Sequence, residues 1–131
     1  MPKLNLSLLK GHFAVVQLEA NAGIPAWALQ GEFFTVSRSS EELSIVCLES
    51  NVPDDSALRL ERDWACLKLQ GPFEFSMTGI LLSVLEPLAK VQVGIFAIST
   101  FNTDYVLIKN GLLETAIAAL ESVGHRVARG A

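Results

Sequence analysis

Cysteine is scarce in this chain of 131 residues. Cys47 and Cys66 stand alone in separate apolar runs without CxxC spacing. That argues against a disulfide framework or a thiolate metal cage and fits two reduced, buried thiols. A surplus of positive charge is also missing: ten Lys and Arg face fourteen Asp and Glu, a net charge of −4. The acidic excess belongs wholly to residues 1–63, with five basic and nine acidic residues, while residues 64–131 balance at five and five. Without a clustered cationic face, phosphate-tracking nucleic-acid binding is not expected. Long hydrophobic runs are lacking too. The longest, around residues 79–89, is cut by Ser83, Glu86 and Pro87 and falls short of the roughly 20 residues that a membrane span needs. The opening MPKLNLSLLKGHF has a broken apolar run and no small-residue cleavage site, so no export signal is expected and the reading is a soluble, cytoplasmic protein.

Signatures of catalysis are equally sparse: there is no GxSxG, HExxH, phosphate-binding loop or GxGxxG. Of the two histidines, His12 lies in a strand-like run and His125 at a helix end, where an imidazolium would cap the negative pole of the dipole. Neither cysteine has a local base motif, and no carboxylate pair stands out. The expectation is a non-enzyme with no cofactor and no metal site.

What is present is core material. Half of the residues are apolar, 18% are charged, and the mean hydropathy is +0.39, which suits one domain or two small units sharing an interface. Residues 33–46 (FFTVSRSSEELSIV) and 95–108 (IFAISTFNTDYVLI) align without a gap at an offset of 62. Each reads as strand, polar turn, strand, so the chain is read as two copies of one supersecondary unit, with a chance match of two hairpins as the alternative.

The second half is the more regular. Ala65–Gln70 alternates as a strand, and a helix capped by Ser76 or Thr78 places Ile80, Leu81, Val84, Leu85 and Leu88 on one face. Pro87 predicts a kink or an early end. Gln92–Ile98 reads as a strand buried on both faces, and Asp104–Lys109 pairs beside it. A second helix opens at Asn110 or Gly111, buries Leu113, Ala116, Ile117 and Leu120, and closes on Gly124; Arg126–Ala128 adds a last strand. The order is β-α-β-β-α-β. It predicts a ferredoxin-like α+β fold with an antiparallel sheet and both helices on one face. In the first half, Leu4–Leu9 and Phe13–Glu19 read as strands, Ile24–Leu29 as a short helix and Asp54–Arg62 as a second helix, with a turn at Val52–Asp55.

The strings ISTFNTDYVL and GPFEFSMTGILLSVLEPLA, together with LKGHFAVVQLEA and EFFTVSRSSEELSIVCLE in the first half, resemble the CASTOR-type ACT domain family, amino-acid sensors that include the animal cytosolic arginine sensors. The likeness covers nearly the whole chain. It implies two tandem ACT-like units, a degenerate one at 1–62 and an ACT domain at 63–131. The animal sensors carry four units, so this chain is similar to one half of them, and a homodimer would restore the set.

The implied function is a non-catalytic regulatory module binding an amino acid, or a similar small zwitterion, between ACT units and reporting to a protein partner. No nucleic acid or membrane enters this picture. A zwitterion needs an anion-binding element and a carboxylate close together. The first is expected at the helix start, Glu74, Phe75, Ser76, Met77, Thr78 and Gly79, where backbone N–H groups and hydroxyls can hold a carboxylate and Gly79 allows close approach. The second is expected in Ser99, Thr100, Phe101, Asn102, Thr103 and Asp104, with Asp104 meeting the ammonium. Simpler roles stand beside these: Ser76 and Thr78 as caps, Asp104 as a turn acceptor, and Met77 with Phe73, Phe75 and Phe101 as core. Met77 stands where the arginine-binding unit of the animal sensors has an acidic residue, which turns the expectation from a guanidinium to a small neutral or hydrophobic amino acid. The alternative function is a ligand-free interaction or dimerisation module.

Overall fold

The computed structural model describes residues 2–73 and 78–130. In chain order its elements are β1 (Asn5–Leu8), β2 (Phe13–Leu18), a 3-10 turn (Ala26–Leu29), β3 (Thr35–Arg38), β4 (Leu43–Leu48), a 3-10 turn (Glu49–Asn51) and β5 (Arg59–Leu69). They continue with α1 (Ile80–Lys90), β6 (Phe96–Ser99), β7 (Asp104–Lys109), a 3-10 turn (Asn110–Leu112), α2 (Leu113–Ser122) and β8 (Arg126–Ala128). The architecture is mixed α+β. Neither helix is long and apolar enough to cross a membrane.

The chain forms two compact units, residues 11–64 and residues up to 10 together with those from 65 onward. A division after residue 62 groups β1 with the first unit. In the structure β1 instead pairs antiparallel with β5 (Leu6 opposite Leu69) and parallel with β8 (Leu6 opposite Val127). The cause is apolar alternation: Leu4, Leu6 and Leu8 turn toward the second unit's core.

In the unit 11–64 the strands run β3-β4-β2-β5, the last contributing residues 59–64. Ala14, Val16, Leu43, Ile45 and Cys47 alternate onto one buried face with Ala28 and Val52. The helix expected over Asp54–Arg62 does not form. Leu58 and Leu60 stand two residues apart, a strand period, and Leu60 pairs opposite Val16 on that core. The pairing of β2 with β5 slips between Phe13 and Val15, and Asp63 there takes φ +66. This bulge is held by a hydrogen bond from the Asp63 N–H to Glu49 Oε1 at 2.7 Å and by His12 Nδ1 against Asp63 Oδ1 at 3.1 Å.

The second unit orders its strands β6-β7-β5-β1-β8. From Ala65 onward the elements follow the expected β-α-β-β-α-β order. Two features of the expected sheet are corrected: β1 lies between β5 and β8, and the β1–β8 pair is parallel rather than antiparallel. Ile80, Val84 and Leu88 from α1 and Ala116 and Leu120 from α2 pack on the same strand residues, Leu6, Leu67, Leu69, Val106 and Ile108. Both helices therefore cover one face of these strands. Each fully buried leucine contributes about 2 kcal/mol of transfer free energy.

Helix α1 does not stop at Pro87; it continues to Lys90. Proline leaves the Ser83 carbonyl without its i+4 donor. His125 Nε2 supplies the replacement at 2.8 Å, while His125 Nδ1 accepts the Leu4 N–H at 3.0 Å. The buried imidazole is thus a neutral ring with Nε2 protonated, not a cationic helix cap. The strand expected from Gln92 shortens to Phe96–Ser99, with no residue of it fully buried. Gln92 (φ +60) and Val93 are used in closing α1, through hydrogen bonds to the Ala89 and Leu88 carbonyls at 3.0 Å each. Helix α2 closes the same way on Gly124 (φ +99), whose N–H reaches Glu121 O at 3.0 Å, as expected for a C′ glycine.

Candidate functional site

The turn between β6 and β7 is built from its own polar side chains. Ser99 and Asp104 face each other across the strands, and the Ser99 hydroxyl donates to the Asp104 carboxylate. Thr100 N–H donates to Thr103 O at 2.8 Å, and Thr103 N–H returns to Thr100 Oγ1 at 3.3 Å. Thr103 is buried and donates its hydroxyl to Leu69 O at 2.5 Å, fastening the turn to the end of β5. Asn102 O accepts the Phe73 N–H at 2.8 Å. A Cβ on Gly71 would come within 2.9 Å of that same carbonyl, so only glycine lets the two backbones approach.

The turn therefore meets the chain at residues 71–73, just ahead of the first expected segment. Glu74, Phe75, Ser76 and Met77 lie outside the described residues. Thr78 is exposed, and Gly79 itself occupies the N-cap of α1 with φ +79, so Thr78 does not cap the helix. Gly79 has nothing within 4 Å of a Cβ position. Its glycine serves the left-handed backbone, not close approach.

A cleft of about 330 Å³ opens beside the turn. Thr100, Phe101, Asn102 and Thr103 line it together with Lys68, Gln70, Gly71, Pro72 and Tyr105, which sequence reasoning did not single out. The missed signal lay in β5. Leu67 and Leu69 pack with the helices, so Lys68 and Gln70 alternate onto the opposite face, and Val106 and Ile108 leave Tyr105 there as well. Thr78, Gly79, Ser99 and Asp104 are not part of its lining; Ser99 and Asp104 form the foot of the turn.

The chemistry offered is binding chemistry. Lys68 is the cationic side chain of the lining, surrounded by hydroxyl and amide groups. Gln70 is held by a hydrogen bond from Nε2 to Ser7 Oγ at 2.5 Å. Burial, with Cys66 nearby, pushes the Tyr105 hydroxyl above its ordinary value. Burial also pushes the Cys66 thiol up to about 12 and Cys47 to about 11, so both stay protonated and non-nucleophilic at neutral pH. Among the described residues there is no group of three His, Cys, Asp or Glu placed to hold a metal.

This unit packs two helices on one face of its strands. A family model described as the ACT domain matches residues 59–122, and one described as an N-terminal domain matches residues 11–55. Residues 59–122 thus carry an ACT domain. A crystal structure of a protein from Agobacterium tumefaciens is 40% identical, covering 100% of this chain and 96% of that one, with a TM-score of 0.93. A Vibrio cholerae protein superposes at TM-score 0.73 with 16% identity, over 93% of this chain and 91% of that one. The ligand-free regulatory subunit of aspartate kinase from Thermus thermophilus shares the fold at TM-score 0.62 and 13% identity, over 89% and 95% of the two chains. No curated protein matches the sequence significantly.

Proposed function

We propose that this protein is a non-catalytic amino-acid sensor of the CASTOR type, with a degenerate ACT-like unit followed by an ACT domain, acting as a homodimer that reports ligand occupancy to a protein partner. The observation that carries the reading is the cleft of about 330 Å³ combining the Lys68 ammonium with the polar turn at residues 100–103. That volume lies at the lower end of small-ligand pockets and suits a single amino acid. Lys68 would take the α-carboxylate, and oxygens of the turn the α-ammonium, while Asp104 holds the foot of the turn through the Ser99 hydroxyl. Thr100 and Asn102 would fill the remaining hydrogen bonds, and Phe101 would cover an apolar side chain. Aspartate kinase regulatory subunits, which share this fold, support the regulatory part of the reading.

The test is a thermal-shift screen of the full chain against the twenty amino acids. A ligand at about 100 times its Kd adds about 2.7 kcal/mol of stability, so a side-chain-selective rise is expected, and it should vanish in Lys68→Gln and weaken in Asp104→Asn. A flat response to all twenty overturns the sensor reading. It would favour the interaction-module alternative, for which the specific observation is Phe101, 78% exposed at the tip of the turn.

A further inference from the structure

We propose that residues 11–64 carry a second binding site of their own, for small α-amino acids with neutral or basic side chains. The β3–β4 and β6–β7 hairpins are equivalent in structure at an offset of 61: the innermost pairs are Arg38 with Leu43 and Ser99 with Asp104. Both turns close with the same bond, Ser39 N–H to Glu42 O at 2.9 Å and Thr100 N–H to Thr103 O at 2.8 Å. Just as β5 pairs with the second strand of its hairpin, β2 pairs with β4. Each unit has a cleft in the same place, where that inner strand ends beside the turn. In the first unit it measures about 500 Å³, bounded by Gln17 at the end of β2, by Glu19 just beyond it, by Glu41 in the turn and by Arg59.

The charged groups of this cleft face it without neutralising one another. Arg59 Nη1 donates to the neutral Gln17 Oε1 at 3.1 Å, and Gln17 Nε2 in turn donates to Glu42 Oε1 at 3.3 Å. Among the described residues neither Glu19 nor Glu41 pairs with a cation. A guanidinium kept in place by an amide, opposite two available carboxylates, matches an α-amino acid: carboxylate on Arg59, ammonium on Glu19 and Glu41. Two carboxylates against one cation also set selectivity. An acidic side chain meets net negative charge and is refused, while a neutral or basic one is admitted. Among the described residues the Lys68 cleft has a cation as its one charged lining group and lacks this exclusion of acidic side chains. The inference shares with the proposed function only the class of ligand.

The test is isothermal titration of the full chain with L-lysine, L-alanine and L-glutamate, repeated on Glu41→Gln, Arg59→Gln and Lys68→Gln, with circular dichroism to verify folding. L-Lysine is expected to bind, about tenfold more weakly in Glu41→Gln and Arg59→Gln and with unchanged affinity in Lys68→Gln, and L-alanine to keep binding in Lys68→Gln. L-Glutamate binding, where present, should respond only to Lys68→Gln. Binding indifferent to Glu41→Gln and Arg59→Gln but lost in Lys68→Gln overturns the second site and leaves the first standing. The absence of L-lysine and L-alanine binding also overturns it, whatever L-glutamate does. Arg59→Gln that fails to fold leaves the decision to Glu41→Gln, an exposed turn residue.

Discussion

His125 shows how one buried side chain can serve two distant backbone groups. It joins the Leu4 N–H to the Ser83 carbonyl that Pro87 leaves without an intrahelical donor. His125→Ala strands both groups and is expected to cost about 3 kcal/mol in urea unfolding, since each buried unsatisfied polar group costs about 1–3 kcal/mol. Pro87→Ala restores an N–H opposite Ser83, so in that background the same substitution should cost about 1 kcal/mol less; an identical cost in both backgrounds would refute the coupling. The sequence places His125 at a helix end, and that is where it stands. Its role was illegible because its partners lie 42 and 121 residues away. Lys68 was missed for a related reason: a lone lysine in an alternating strand reads as a solvated position until the turn at 100–103 is placed beside it.

At the scale of elements, the helix faces were legible and the chain reversals were not. Ile80, Val84 and Leu88 form the buried face that their spacing predicts. Gln92, by contrast, reads as the start of a strand and is the left-handed residue closing α1, φ +60. A side chain in that conformation costs about 1 kcal/mol relative to glycine. Gln92→Gly should therefore raise stability by about 1 kcal/mol, seen as a higher urea midpoint with an unchanged slope; a loss would mean that the Gln92 side chain makes a compensating contact. The hairpin repeat carries the same lesson. The gapless sequence match at an offset of 62 pairs Glu42 with Asp104, whereas the strand registers equate Glu42 with Thr103. In strands a slip of one residue exchanges the faces, so composition revealed the hairpins and only the ladder fixed which side chains correspond.

For the whole molecule, the two buried thiols predict an alkaline limit. Both have a folded value raised above the ordinary 9.0, to about 11 for Cys47 and about 12 for Cys66. The unfolded chain loses these protons first, so their contribution is complete below pH 9 and is lost as pH rises through 11 to 12. The urea midpoint should fall across that window, and less steeply in Cys66→Ala. A slope unchanged by the substitution would show that the thiol does not carry the effect. At pH 8 neither thiol should react with a disulfide reagent until the chain is unfolded; rapid reaction of the native protein would contradict their burial.

Alternation and helical spacing by themselves determined that this chain is mixed α+β, that its second half runs β-α-β-β-α-β, and that residues 99–104 form a polar turn between two strands. These are local properties, set by which residues a single element can bury or cap. Tertiary structure alone decided that β1 joins the second unit, that residues 59–62 extend a strand instead of a helix, and that Lys68, Gln70 and Tyr105 share a cleft with the turn. Each of those outcomes depends on a pairing between residues far apart in the chain. The energy of such a pairing exists only once the partner strand is in place, and no local pattern encodes it.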